Sequence, residues 1–404
     1  MNVTLIYFIL HIIMYYVLYR SGKKLAYCET NKQYWKAALP GIIAFSLNEG
    51  LRWGRGLDYN LYFEGFQDAA LGYDDTHEIL FSLYCRTCHY LGIDYKGFII
   101  STMLLLIISV YFFLKKYRKQ AAYALPLFCL LMEANYTNLI RWYMGVPFIL
   151  IGFALYMEHE EFNNKKALTY LMSFSLMAMG MHTTLVLIPI IYYALYQITK
   201  NTDRPLLRPI VSIPIFVALT FLFKNEMMLM FASQINFLLA LIGDSYSSYS
   251  DNLNYWLEGG AAGTDNSVLG IAVYAFLIPF IILGYDISSK KQELGYTFAY
   301  NLFSISFILM PIAVRIELLN RFWSCLYLFS SVVGAYLFIE YFVEKKHIKA
   351  YAYSLAVVAF LGVAYSQFVL KLRGPDFFKY YVWDSKGKDI IDIYSTYYIE
   401  MNKK

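Results

Sequence analysis

Charged residues are scarce in this chain of 404 residues. Only 16% of them are charged, while 59% are hydrophobic; soluble domains have roughly 25% charged and 45–50% apolar residues. The mean hydropathy is +0.45. This shortage of charge excludes an ordinary soluble domain, and the composition indicates a membrane protein.

Sequence motifs for nucleotides, metals and catalytic serines are also missing. The chain has no Walker A motif, no dinucleotide fingerprint, no H-E-x-x-H and no G-x-S-x-G. Its five cysteines form no disulfide framework. We therefore expect no cofactor and no bound metal, and ATP-driven or metalloprotease functions lose support.

A basic patch for nucleic acid is missing as well. The net charge is only +5, and the basic residues lie in short clusters between apolar stretches, which excludes a nucleic-acid partner. At the N-terminus there is no basic region and no A-x-A cleavage site, so we interpret residues 3–19 as a retained first span rather than a signal peptide.

What the chain does have is a succession of apolar stretches of spanning or near-spanning length. They predict an all-α fold, a polytopic transmembrane helical bundle of about 12 spans, some of them short or broken. The stretches lie at 3–19, 37–51, 97–114, 121–134, 139–157, 167–181, 183–199, 210–242, 267–285, 297–314, 322–343 and 349–368.

The connections between these stretches sort by charge. Compact basic loops are typical of the cytoplasmic side, and this chain has five of them. Two longer connections, 52–96 and 243–266, are acidic, and we place both outside, together with both termini and a short extramembrane tail over 371–404. We expect a single integral membrane domain over 1–404, multi-pass in a bacterial inner membrane, with membrane lipids as partners.

The first outer loop contains a candidate amphipathic helix. Apolar residues recur at helical spacing over 76–92, which predicts a helix lying on the membrane. Cys85 and Cys88 of this segment, followed by His89, match the C-x-x-C-H haem pattern. We discount haem because neither an open pocket nor an axial partner is indicated nearby.

Several arginines converge on the outer face in this topology. Arg guanidinium groups recognise phosphate by paired charge-assisted hydrogen bonds, and a polyanion positioned by a membrane is best explained as a lipid phosphate or diphosphate. The other interpretation is that these side chains extend to lipid headgroups or pair with loop carboxylates. The candidate diphosphate-binding residues are Arg52, Arg55, Arg141, Arg315 and Arg321.

Two residues are candidates for accepting a proton. His182 interrupts an otherwise apolar run, and histidine suits general-base chemistry because its ordinary pKa lies near 6.5. Asp58 follows Arg55 by three positions and is the best carboxylate for activating a hydroxyl. A hydrogen-bonded packing histidine and a solvated loop acid are the alternatives for these two positions.

At these residues the sequence resembles the EpsG family of Wzy-like bacterial polysaccharide polymerases. Residues 52–62, Arg-Trp-Gly-Arg-Gly-Leu-Asp-Tyr-Asn-Leu-Tyr, fit the family's Arg-x-x-x-Gly-x-Asp-Tyr-x-x-Tyr pattern. Arg141, His182 and Arg321 look like its later Arg, His and Arg positions, spread over roughly residues 45–330. Trp142 departs from the usual pattern, in which Gln follows the arginine.

The resemblance implies a polymerase for an exopolysaccharide, capsule or O-antigen. Its substrate would be a polyprenyl-diphosphate-linked oligosaccharide, whose glycan is transferred to a hydroxyl of an acceptor glycan, with other polysaccharide export proteins as partners. In this hypothesis Arg141 and Arg321 bind the diphosphate, Asp58 or His182 is catalytic, and Trp53, Tyr59 and Tyr62 bind glycan rings by stacking.

Two other functions stay open. A different lipid-linked glycosyltransferase or ligase would use the adjacent acids Asp74 and Asp75, with a metal as a further possibility. A glycolipid flippase or transporter would need ionisable residues along a path through the membrane midplane. In this sequence the charges gather at span ends, so we rank the transporter last.

Overall fold

The computed structural model describes residues 3–52, 59–72, 78–222, 273–314, 317–344 and 349–365. Within these ranges all regular secondary structure is helical. The α-helices are α1 Val3–Leu25, α2 Asn31–Gly50, α3 Tyr59–Leu71, α4 Ile79–Tyr90, α5 Tyr95–Phe113, α6 Ala121–Asn138, α7 Ile140–His159, α8 Asn164–Met181, α9 Leu187–Thr202, α10 Pro209–Leu222, α11 Ile278–Lys291, α12 Leu294–Ala313, α13 Glu317–Tyr327, α14 Ser330–Phe338 and α15 Ala350–Ala364.

Short 3₁₀ or π-helical turns precede or follow several of these helices. The 3₁₀ turns are Leu114–Tyr117, Thr183–Val186 and Val273–Leu277, and a π-helical turn, Ile339–Glu344, follows α14. Each predicted apolar stretch overlaps a helix among the described residues, so the all-α class is confirmed.

The number of membrane crossings stays a prediction. Five segments within the described ranges are long and apolar enough to cross a bilayer by length and composition. They are Leu5–Leu25, Tyr95–Tyr117, Ile140–His159, Leu294–Ala313 and Leu319–Glu344. The apolar helices α10 and α15 are shorter. The expected count of about 12 spans is not reached by this criterion.

Local sequence explains where several helices begin. Thr30 and Gln33 form a reciprocal capping box at α2, which satisfies backbone N–H groups that lack a partner inside the helix. The Asp94 side chain accepts from the backbone N–H of Gly97 at the start of α5, and Asn163 caps α8 in the same way.

The helices pack around one large buried core. Helix α1 packs against α2 and α6, and α2 packs in turn against α5. Helix α7 packs against α8 and α5, while α12 contacts α9, α10 and α13. Small residues allow close approach: a Cβ added at Gly22 would lie 2.5 Å from the carbonyl oxygen of Ala121 on α6.

The loop over 52–96 is more structured than the sequence indicated. We predicted one helix there, over 76–92, and α4 confirms it; α3 was not predicted. Helix α4 also buries Phe81, Cys85 and Cys88 and packs against α3 and α8. A helix that lies on the membrane was expected to place its apolar residues against lipid, and these three residues pack against protein instead. The opposite face of α4 still exposes Ile79 and Leu83, as that expectation requires.

Close contact fixes α4 against α8. A Cβ added at Gly180 would lie 2.6 Å from the Cγ of Leu80, so the two helices meet at a position where a side chain has no room. The Tyr84 hydroxyl hydrogen-bonds to Ser101 on α5. Contacts with α8 and α5 therefore fix the position of α4, and with it the position of Glu78, the residue before its first turn.

Candidate functional site

Three interruptions of helical structure bring the predicted site residues together. Helix α6 ends at Asn138 and α7 begins at Ile140, so Arg141 sits in the first turn of α7. His182 ends α8 in an extended conformation, just before the 3₁₀ turn Thr183–Val186. Arg321 lies in the second turn of the short helix α13.

A carboxylate that we had not singled out lies at the centre of these residues. The Oε2 atom of Glu78 is 3.7 Å from Nε of Arg141, and its Oε1 atom is 3.6 Å from Nδ1 of His182. The backbone N–H of Thr183 donates to Oε1 at 3.1 Å. We call Glu78, Arg141, His182 and Arg321 the arginine cluster.

The imidazole of His182 links the two guanidinium groups of the cluster. Nη1 of Arg321 lies 3.4 Å from Nε2 of His182, and Nδ1 lies 3.1 Å from Oγ1 of Thr184. Because arginine has only donors, Nε2 is the accepting nitrogen in this contact and Nδ1 carries the proton of the neutral ring. His182 therefore presents a lone pair on the side of Arg321.

One half of the cluster is buried, and the other half is partly exposed to solvent. His182 and Arg321 are buried, and the ring of Trp142 packs edge-on against His182 at 5.1 Å between centroids. Arg141 and Glu78 keep 24% and 16% of their side chains exposed. A low-dielectric wall thus backs the interior half of the cluster, which strengthens its electrostatic interactions.

Chemically, the cluster holds the carboxylate of Glu78 among groups that donate or carry positive charge. A carboxylate contacts a guanidinium group, an imidazole and a backbone N–H, and these are the groups that also bind phosphate. The guanidinium group and the backbone N–H that face Glu78 are thus of the kind that bind a phosphate.

Arg52 makes contacts of its own near the end of α2. It is buried just after α2, where Nη1 donates to the carbonyl of Glu49 at 2.7 Å, and the Tyr59 hydroxyl donates to the Arg52 carbonyl at 3.4 Å. Tyr59 is buried and packs edge-on against Tyr95, so its ring offers no open stacking face; Tyr62 is half-buried. Tyr59 therefore contributes packing in this structure, and its contact with glycan stays a prediction.

Several candidates cannot be placed. Trp53, Arg55, Asp58, Asp74, Asp75 and Arg315 lie outside the described residues. Their proposed roles therefore stay predictions.

The cysteines of the C-x-x-C-H segment are buried and protonated. Cys85 and Cys88 are buried free thiols, and burial raises the pKa of the Cys85 thiol to about 12. Since the thiolate is the nucleophile and the metal ligand, a protonated buried thiol is inert. This agrees with discounting haem attachment.

Sequence reasoning missed Glu78 for a physical reason. It was only one of several acids in the loop 52–96, and its contact with Thr183 joins residues 105 positions apart. Its position immediately before α4 is the only local signal, and there its side chain makes no capping hydrogen bond.

Comparisons with known proteins identify one family. The model of the EpsG family matches residues 41–381, which cover most of the chain and include every residue of the arginine cluster. No curated protein matches, and no solved structure matches.

Proposed function

We propose, since this chain belongs to the EpsG family, that it is a polysaccharide polymerase acting on a polyprenyl-diphosphate-linked oligosaccharide. Family membership and the apolar helices indicate a membrane protein of the glycosyltransferase type that works in polysaccharide biosynthesis. The specific substrate, the outer face of a bacterial inner membrane as its location, and export proteins as partners belong to the proposal.

One observation supports this proposal most directly. Arg141 and His182 both lie beside the Glu78 carboxylate, and Arg321 reaches the same imidazole. In the proposal the diphosphate displaces this carboxylate. A diphosphate carries more charge and more acceptor oxygens than a carboxylate, so it competes well for such groups. The guanidinium groups also remain charged at any physiological pH.

The chemical step follows from these positions. A hydroxyl of the acceptor glycan attacks the anomeric carbon of the donor sugar, a new C–O bond forms, and the bond from that carbon to the diphosphate oxygen breaks. The diphosphate leaves with the bonding electrons, and Arg141 and Arg321 stabilise its developing charge. His182 or Asp58 accepts the proton of the attacking hydroxyl.

Two competing functions lead to different expectations. A lipid-linked glycosyltransferase or ligase that depends on Asp74 and Asp75 would transfer glycan without needing the arginine cluster. A flippase or transporter would move lipid-linked glycan without forming a new glycosidic bond. The arginine cluster lies at helix ends rather than along a helix interior, which favours the polymerase.

Reconstitution tests the proposal. The purified chain in vesicles is supplied with polyprenyl-diphosphate-linked oligosaccharide, and products are separated by size. We expect a ladder of glycans that is lost, by about 100-fold or more in rate, in Arg321→Ala. The matched control is Arg204→Ala, which removes an exposed arginine and should leave the ladder intact.

The competing functions give other outcomes. A full ladder from Arg321→Ala in a chain that unfolds at the wild-type temperature would reject the cluster as the diphosphate site. Movement of the lipid across the vesicle membrane with no ladder from the wild-type chain would reject the polymerase altogether.

A further inference from the structure

A second cluster of ionisable side chains lies between α1, α2 and α6. His11, Glu49 and Glu133 come from three different helices, and their side chains are 1%, 0% and 2% exposed. Ionisable groups buried at the level of membrane helices are costly and usually functional. We call these three residues the carboxylate cluster; the proposed polymerase activity does not use it.

The distances in the carboxylate cluster suit metal ligands. Nε2 of His11 is 3.0 Å from Oε1 of Glu49 and 3.6 Å from Oε1 of Glu133. One ligand atom from each residue lies within 4.8 Å of the other two. Ligands that bind one ion at about 2.1 Å are spaced about 3.0–3.5 Å apart when they are adjacent, so little movement is needed.

The hydrogen bond on the far side of the imidazole selects the tautomer. Nδ1 of His11 lies 2.9 Å from the carbonyl oxygen of Tyr7, which can only accept. In the neutral ring the proton is therefore on Nδ1, and the lone pair of Nε2 faces the two carboxylates. This is the usual arrangement of a metal-binding histidine, whose other nitrogen donates to a carbonyl.

Neighbouring side chains hold both carboxylates in place. The Tyr7 hydroxyl donates to Oε1 of Glu133 at 2.7 Å, and Nδ2 of Asn48 donates to Oε1 of Glu49 at 2.9 Å. Nδ2 of Asn48 is also 3.3 Å from Nε2 of His11.

We propose that His11, Glu49 and Glu133 bind one divalent first-row transition-metal ion, zinc or manganese. One imidazole and two carboxylates suit such an ion, which accepts nitrogen and oxygen ligands. The ion binds the nitrogen lone pair and both carboxylates, and its two positive charges match their two negative charges. Soft thiolate ligands are absent from the cluster, which argues against copper(I).

The metal ion would hold one end of the bundle together. Glu49 is near the last residue of α2, and Arg52, whose guanidinium donates to the Glu49 carbonyl, follows it by three positions. The ion thereby connects α1, α2 and α6 at the point where the first loop begins. We assign it a structural role that does not depend on the polymerase proposal.

Metal analysis of the full-length chain tests this directly. The protein is purified in detergent, stripped with EDTA and incubated with zinc chloride or manganese chloride, with magnesium chloride as a control ion. We expect one equivalent of zinc or manganese by mass spectrometry and a rise in Tm of about 5 °C or more. Magnesium should give neither.

Two variants separate the site from adventitious binding. Glu49→Gln with Glu133→Gln keeps the size of both side chains and one accepting oxygen on each, removes both negative charges, and should abolish metal binding and the Tm rise. Glu160→Gln, a change at another buried glutamate, which pairs with Lys200, should retain both. If the wild-type chain binds no zinc or manganese, or binds it equally in the double variant, the cluster is a proton-sharing network and the proposal is wrong.

Discussion

The arginine cluster and the carboxylate cluster each place a buried histidine beside a glutamate, but their other charged groups differ. His182 lies between the carboxylate of Glu78 and the guanidinium group of Arg321, whereas His11 lies beside two carboxylates. The first is built where helices are interrupted, the second on continuous helices. The first keeps partial exposure at Arg141, whereas the second is fully buried.

This difference separates two uses of buried charge. A cluster at helix interruptions can change its partner, since backbone N–H groups and partly exposed side chains are within reach of an incoming anion. A cluster enclosed by three helices exchanges partners only with difficulty and fixes the helices instead. We therefore expect changes in the arginine cluster to lower turnover and changes in the carboxylate cluster to lower stability.

The largest effect is expected from Glu133→Ala. It removes one member of a buried charged network and leaves Tyr7 and His11 with a cavity, at a cost of about 3–5 kcal/mol in the free energy of unfolding. Denaturant unfolding in detergent measures it, with the exposed Glu161→Ala as the control. An unchanged unfolding midpoint would show that the carboxylate cluster does not stabilise the fold.

Arg141→Ala is expected to act on the rate instead. Loss of one preorganised donor to the leaving diphosphate lowers kcat by about 10²–10³, or about 2.7–4 kcal/mol in the barrier. The kcat of Arg141→Lys should lie between those of the wild type and Arg141→Ala, because lysine keeps the positive charge but lacks the planar guanidinium fork. Steady-state polymer synthesis provides the measurement, and a large drop in the unfolding temperature would contradict the assignment.

Glu78→Gln distinguishes orientation from binding. The variant keeps the acceptor for Thr183 but loses the charge that competes with diphosphate, so the lipid should bind at least as tightly. Turnover should fall about tenfold, which is about 1.4 kcal/mol, because Arg141 and His182 lose their orienting partner. Glu64→Gln, on the exposed face of α3, is the control; weaker lipid binding in Glu78→Gln would refute the displacement.

The smallest effects come from a matched pair that removes one hydroxyl from each cluster. Thr184→Val deletes the contact to His182, and Tyr7→Phe deletes the donor to Glu133; each should cost about 0.5–1.5 kcal/mol. We expect the first to appear in kcat and the second in the unfolding midpoint. If Thr184→Val changed the unfolding midpoint and Tyr7→Phe changed kcat, the two clusters would not differ in the way proposed.

The sequence predicted the helices well because hydropathy and helix length report the same physical constraint. It missed α3 because the acids Glu64 and Asp68 favoured a solvated loop. It predicted a loop helix over 76–92, but not the second apolar face by which α4 packs on α8.

The site was only partly accessible to sequence reasoning. Arg141, His182 and Arg321 stood out as charges in apolar surroundings, and the structure brings these three together. Glu78 gave no comparable signal. The carboxylate cluster gave none either, because the contact from Tyr7 to Glu133 joins residues 126 positions apart, and no linear spacing encodes such a contact.

The order of residues along the chain has a consequence for the timing of synthesis. Glu78 precedes α4, and its partners Arg141 and His182 are made later, but Arg321 arrives only with α13. Membrane helices insert before they associate, so a chain still on the ribosome can pair Glu78 with Arg141 long before the second arginine exists. The contact between Glu78 and Arg141 therefore does not require Arg321, whose contribution to the cluster comes last.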